Sequence, residues 1–225
     1  MASVSKENYL KIIFYLKQHD VKPVSTSEIA NELEISNAAT SEMAKKLSES
    51  GLISYKKYKG IDLTPKGKKV ALGVIRKHRL WELFLANVLG LSWAEVHDEA
   101  EKLEHISSEK LIDKIDEFLG FPEFDPHGDP IPKKNGKLPK LTGLVKLSEG
   151  KVGGIYNVIK VNDLDNELMN YLTRIGVKLY KQIEIVEKLI FDKSIIVKID
   201  NHNINLSEKI ANSIYITQLK NAELN

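Results

Sequence analysis

STSEIANELEISNAATSEMAKKLSESGLISYKKYKGIDL, residues 25–63, reads as two short helices and a hairpin in direct succession. Ser25-Thr26-Ser27-Glu28 supplies capping residues ahead of Ile29, Ala30 and Leu33. Ile35-Ser36-Asn37 opens a second helix over 38–50, with Met43, Ala44 and Leu47 inward and Gly51 as its stop. Leu52 to Leu63 follows as two short strands around a tip bearing Lys and Gly. Upstream, Tyr9, Ile12, Ile13, Tyr15 and Leu16 recur at helical spacing over roughly 5–19. Downstream, Thr64-Pro65 opens a long helix reaching about Leu89.

Helix, turn, helix and basic hairpin is the order of a winged helix-turn-helix. Its second helix is short enough to lie in a major groove, where base edges are distinguishable. Ser36, Asn37, Thr40 and Ser41 at its start are small polar groups able to reach bases or phosphates. Lys45 and Lys46 on the helix, and Lys56, Lys57 and Lys59 on the wing, suit phosphate neutralisation. A winged helix used for protein contacts is the alternative.

The charge distribution agrees with a polyanionic partner. The chain has 225 residues and a formal net charge of only +2. Residues 1–80, however, carry 15 Lys+Arg against 8 Asp+Glu; residues 81–127 carry 3 against 12; residues 128–225 carry 15 against 11. A basic first segment suits nucleic acid, and an acidic middle containing His suits a cation. With no Cys, disulfides, thiolate-ligated zinc, iron–sulfur clusters and a thiol nucleophile are excluded. The longest apolar runs fall short of the ~20 residues a bilayer span needs, and Met1 to Lys11 lacks a signal-peptide core. A cytoplasmic protein with no membrane partner is expected.

The acidic middle holds the densest set of metal-competent side chains. In VHDEAEKLEHIS, residues 96–107, read as one helix, His97, Glu101, Glu104 and His105 fall within an arc of roughly 80–100°. His78 and Glu82 stand one turn apart on the long helix before it. Either pair alone could be a surface ion pair. FPEFDPHGDPI, residues 121–131, then places Asp125 and His127 in a loop stiffened by proline. Residues 133–140 have linker composition, and beyond them short strands with tight turns suggest a small barrel.

Taken together, these stretches resemble the DtxR/MntR family of metal-dependent transcriptional repressors, manganese branch, over nearly the whole chain. The stretches that carry the resemblance are Arg76-Lys77-His78-Arg79-Leu80-Trp81-Glu82, Val96 to His105, and Asp125-Pro126-His127-Gly128-Asp129-Pro130-Ile131-Pro132. The resemblance implies a mainly α protein in four parts. These are a winged helix-turn-helix at 1–72, a helical metal-binding and dimerisation domain at 73–132, a linker at 133–140, and an SH3-like (FeoA-like) small β-barrel at 141–225. It also implies a homodimer on a palindromic double-stranded operator, repressing metal-uptake genes, and no enzyme activity.

By the same resemblance, the primary metal site uses Asn8, Glu101, Glu104 and His105, with His78 close to it. The ancillary site uses His78, Glu82 and His97, or Glu82, Asp125 and His127, closed by an acidic residue of the barrel. Asp163, Asp165 and Glu167 are the candidates for that closing ligand, Asp165 first. Iron-responsive members carry Cys and Met where this chain has Glu101 and Asn8, so its donors are oxygen and imidazole only. Hard donors favour Mn(II). Asn8 and Lys11 stand where manganese-responsive members often carry acids, which keeps Fe(II) as the alternative and leaves open one or two ions per primary site; other divalent metals can substitute in vitro. Two further readings are a carboxylate-bridged metalloenzyme, for which a second Glu-x-x-His is missing, and a metal-independent winged-helix regulator.

Overall fold

The computed structural model describes residues 6–19, 22–56, 60–162 and 166–218. Lys57 and Lys59 of the wing, Asp163 and Asp165 lie outside these residues, as does the side chain of Lys56. The chain divides into two compact units. One comprises Met1–His78, Glu104–Ser107 and Pro132–Lys137; the other comprises Arg79–Leu103, Ser108–Ile131 and Leu138–Asn225.

The first unit contains α1 (Lys6–His19), α2 (Thr26–Glu32), α3 (Asn37–Glu49), β1 (Ile53–Lys56), β2 (Gly60–Leu63) and the start of α4 (Pro65–Asn87). Ser25 caps α2 in a reciprocal box: the Glu28 amide donates to its hydroxyl, and its own amide donates to the Glu28 carboxylate at 2.7 Å. Ser36 caps α3 through the Ala39 amide. β1 and β2 pair antiparallel, and Val24 adds a bridge to Ile61, giving the wing a third backbone partner. Leu10, Ile13, Ile29, Leu47, Ile61 and Ile75 are fully buried. The elements of the winged helix-turn-helix therefore form where residues 25–63 place them.

The second unit holds the rest of α4, α5 (Trp93–Glu104, which crosses its boundary at the last residue) and α6 (Glu109–Phe118). Leu80, Leu83, Ile112, Ile115 and Ile131 form one of its buried clusters, and Leu85, Val96 and Ala100 another. After β3 (Val145–Lys146) and a 3-10 turn (Leu147–Glu149) come β4 (Ile155–Val161), α7 (Asn166–Arg174), β5 (Gln182–Lys188), β6 (Ile195–Ile199), β7 (His202–Leu206), α8 (Glu208–Ser213) and β8 (Ile214–Gln218). All six strands pair antiparallel in the order β3-β8-β4-β5-β6-β7. The sheet is of the FeoA/SH3-like type but stays open, β3 and β7 ending it rather than pairing. Register shifts at Val158/Lys160 and Ile185/Glu187 mark bulges that bend β4 and β5. Met169 and Leu172 of α7 are buried with Val158, Ile183, Val197 and Ile216.

Three helices differ from expectation. The helix expected over 96–107 begins at Trp93, where the Ser92 amide and hydroxyl both donate to the Glu95 carboxylate, and stops at Glu104. The chain must turn there because Ser108 caps α6 through the Leu111 amide, so His105 lies in a turn and off the helical stripe. Secondly, α6 and α7 are additional helices with strongly one-sided burial. The Asp200-Asn201-His202-Asn203 segment joins β6 to β7. Asp200 and Asn201 take φ of 47° and 67°, a two-residue hairpin turn, and His202 already pairs with Ile199. Among the described residues, no helix is long and apolar enough to cross a membrane.

Candidate metal centre

Two clusters of ionisable side chains stand out, one in each unit. In the first unit the centre is Glu104, the last residue of α5, with no solvent exposure. Its Oε1 accepts from Lys11 Nζ of α1 at 2.7 Å, and its Oε2 lies 2.6 Å from Nδ1 of His78 on α4. A carboxylate only accepts, so the His78 proton sits on Nδ1. His105, the next residue, places Nδ1 2.6 Å from Oε2 of Glu7 on α1 and Nε2 3.3 Å from Glu104 Oε1. Asn8 is half-buried on α1. Glu101 is half-buried one turn before Glu104 on α5.

In the second unit, Glu82 of α4 and Asp125 and His127 of the following loop are all buried. Each offers a ligand atom within 4.8 Å of the others. Nδ1 of His97 on α5 lies 3.3 Å from Glu82 Oε1. Nε2 of His127 faces the Trp93 carbonyl at 3.4 Å, while its Nδ1 is 3.9 Å from Glu82 Oε2. The rings of Trp93 and His127 meet edge-on at 5.7 Å.

The loop is itself held by charge. Asp125 Oδ1 accepts the amides of His127 and Asp129, each at 2.9 Å, an Asx-type turn. Arg79 places Nη2 2.9 Å from Asp129, Nη1 2.6 Å from the Pro130 carbonyl and Nε 3.4 Å from Asp125. Lys160 of β4 reaches the same Asp129 oxygen at 2.7 Å. Burying carboxylates is costly unless opposite charge and hydrogen bonds compensate. Asp129 has that compensation from two cations, and Glu104 from Lys11. Glu82 faces the imidazoles of His97 and His127.

These donors fit a hard or borderline divalent cation. They are carboxylate oxygens and imidazole nitrogens, with no sulfur, and they are buried enough that a cation would be largely desolvated. The chain thus brings Glu82, Asp125 and His127 together, with His97 beside Glu82, and joins His78, Glu104 and His105 within the first unit. Sequence reading missed Glu7, the ion pair made by Lys11, and the Arg79, Asp129 and Lys160 network. Glu7 and Lys11 stand at i and i+4, a spacing that places two charges on one helix face.

On the DNA-facing candidates, Thr40 requires a correction. It is fully buried, its hydroxyl donating to the Ser36 carbonyl at 3.1 Å, because position 40 shares the inward face with Ala44 and Leu47. It cannot reach a base. The Ser36 hydroxyl is engaged as the α3 cap, Asn37 and Lys45 are exposed, and Ser41 is half-buried. Lys46 is exposed and paired with Glu42 at 2.7 Å, a contact that lowers the Glu42 carboxyl pKa and raises that of the ammonium. Such an exposed pair exchanges readily for a phosphate.

Three family profiles match the chain. They are the iron dependent repressor N-terminal DNA binding domain over residues 1–61, the iron dependent repressor metal binding and dimerisation domain over 64–133, and the FeoA domain over 145–218. The iron-dependent repressor IdeR of Mycobacterium tuberculosis is 34% identical over 160 residues, which span 70% of this chain and 65% of that protein. Among solved structures, a manganese-dependent transcriptional repressor in complex with manganese shares 36% identity and a TM-score of 0.87, covering 96% of this chain and all of that one. ScaR with bound Cd2+ shares 35% identity and a TM-score of 0.82, again covering 96% of this chain and all of that one.

Proposed function

Because the chain belongs to the iron-dependent repressor (DtxR/MntR) family of metal-dependent, DNA-binding transcriptional repressors, which are not enzymes, we propose that it represses metal-uptake genes in response to Mn(II). In this reading it acts in the cytoplasm as a homodimer on a palindromic operator. The observation that carries the reading is the donor chemistry. Glu82, Asp125 and His127 form a buried cluster of hard ligands with no thiolate or thioether, and hard oxygen-rich sets suit Mn(II). Fe(II) is the second reading, supported by the resemblance to IdeR and by Asn8, which is neutral.

The assignment of roles follows. Residues 1–72 bind DNA, 73–132 hold metal and dimerise, 133–140 link, and 141–225 form the terminal sheet domain. Glu101, Glu104 and His105, with Asn8 and His78, make the primary centre. Glu82, Asp125, His127 and His97, with Asp165, make the ancillary one. Bound there, a divalent cation supplies positive charge that the carboxylates otherwise draw from lysine, arginine and imidazole. Glu104 carries the coupling, since it already joins α1 through Lys11 to α4 through His78. Tightening those contacts narrows the arrangements open to α1 and selects the one that matches two half-sites.

The test is fluorescence anisotropy on the protein's own upstream DNA at fixed salt, with chelator, with Mn(II), and with Fe(II) without oxygen. Mn(II) should tighten binding by about 5–150-fold, and operator DNA should tighten Mn(II) binding by the same factor. Tight binding in chelator would overturn metal control, and an equal response to Fe(II) would favour the second reading. In the same assay Lys45→Ala should weaken binding to all sequences alike and lower the salt slope by about one. A change in sequence preference instead would make Lys45 a base-reading residue.

A further inference from the structure

Glu7 belongs to none of the ligand sets assigned above, yet it makes one of the shortest contacts in the first unit. Its Oε2 lies 2.6 Å from Nδ1 of His105, a residue 98 positions away in sequence. A carboxylate accepts, so it is Nδ1 that donates here and Nε2 that faces away from Glu7. That nitrogen is buried, has no hydrogen-bond partner among the described residues, and lies 3.3 Å from Glu104 Oε1. A buried nitrogen beside a buried carboxylate is a pair of donor atoms of the kind that holds a divalent cation. A carboxylate on the opposite ring N–H is the partner that fixes the tautomer and orientation of a metal-bound histidine.

We propose that Glu7 is the positioning residue of the primary metal centre, holding His105 as the Nδ1–H tautomer with Nε2 directed toward Glu104. The inference rests on the metal-dependent reading of that centre. Its consequence is mechanical. A cation held on Nε2 would strengthen the hydrogen bond that Nδ1 makes to the Glu7 carboxylate. Glu7 is on α1, so the bond that strengthens is one that holds α1 to the turn after α5. Asn8 can offer a neutral amide there; Glu7 supplies the negative charge. Lys11, one turn further along α1, is bonded to Glu104, so α1 meets this centre through a carboxylate and an ammonium on one face.

The experiment uses the full chain and its Glu7→Ala and Glu7→Gln variants. Mn(II) binding is followed by electron paramagnetic resonance of the free ion, and the imidazole tautomers of the metal-free protein are read from nitrogen-15 NMR. In Glu7→Ala the affinity of the primary step should fall about 10–100-fold. The step at Glu82, Asp125 and His127, which shares no residue with it, should be unchanged. His105 should move from the Nδ1–H to the Nε2–H tautomer. Glu7→Gln, which keeps an acceptor oxygen without the charge, should retain the tautomer and recover part of the affinity. Thermal unfolding in chelator should hardly move, since the Glu7 side chain is 38% exposed. A primary step within about twofold of wild type in Glu7→Ala, or an Nε2–H tautomer in wild type, would overturn the positioning role while leaving metal control intact. Wild-type protein that takes up no Mn(II) would overturn the metal-dependent reading and this inference with it.

Discussion

Replacing Glu104 with Ala should abolish metal-dependent operator binding, losing the whole Mn(II) factor of about 5–150-fold, and should also destabilise the metal-free protein. The second effect follows from burial. Glu104 has no exposed side-chain surface, and the Lys11 ammonium it holds at 2.7 Å is only 7% exposed. Removing one partner of a buried ion pair takes compensation from the charge that stays behind, at up to about 3–5 kcal/mol. His78 loses its Nδ1 acceptor at the same time. The double change Lys11→Met with Glu104→Leu removes both charges and should recover most of the stability but none of the metal response. Urea denaturation in chelator reads the first effect, and anisotropy with Mn(II) the second. Wild-type stability in Glu104→Ala would mean that Lys11 escapes to solvent and that α1 is not held through this carboxylate.

The same cluster shows where reading the sequence succeeds and where it stops. Ser25 and Glu28 announce α2 because a capping box is a local device three residues long, and it forms as read. The Pro-rich loop likewise announces a constrained turn, since Asp125 reaches amides only two and four residues away. Thr40 is polar and near a helix N-terminus, yet its burial is set by the face it shares with Ala44 and Leu47, which residue type does not reveal. His105 was placed on a helix that Ser108 obliges the chain to leave. Glu7 was passed over because its partner is 98 residues distant, and single-sequence reasoning sees only pairs that periodicity brings together. Met169 and Leu172 mark α7 by one-sided burial, but so short a helix between strands is stabilised by the sheet it covers, which a local window does not contain.

Gly128→Ala should have the second largest effect, because a methyl group added there meets backbone of β4. Gly128 takes φ of +90°, and a Cβ there would lie 2.1 Å from the Ile159 carbonyl oxygen and 2.8 Å from Lys160 Cα. Neither atom can swing aside as a side chain can, and β4 is pinned to this loop on both sides. The Val161 amide donates to the His127 carbonyl at 2.9 Å, and Lys160 Nζ bonds Asp129 at 2.7 Å. The loop must therefore separate from β4, for roughly 2–4 kcal/mol once positive φ and overpacking are combined. Asp125 and His127 lie just before Gly128 in the same loop and move with it, so the Mn(II) step assigned to the Glu82 cluster should be lost while the primary step survives. Gly120→Ala serves as the control. It has a similar φ of +77° but open space around the added carbon, so it should cost about 1 kcal/mol and leave both steps in place. Lys160→Ala removes one link and spares the backbone contact, so it should weaken the ancillary step without abolishing it. Gly128→Ala that kept both steps and its thermal stability would show that β4 does not hold this loop.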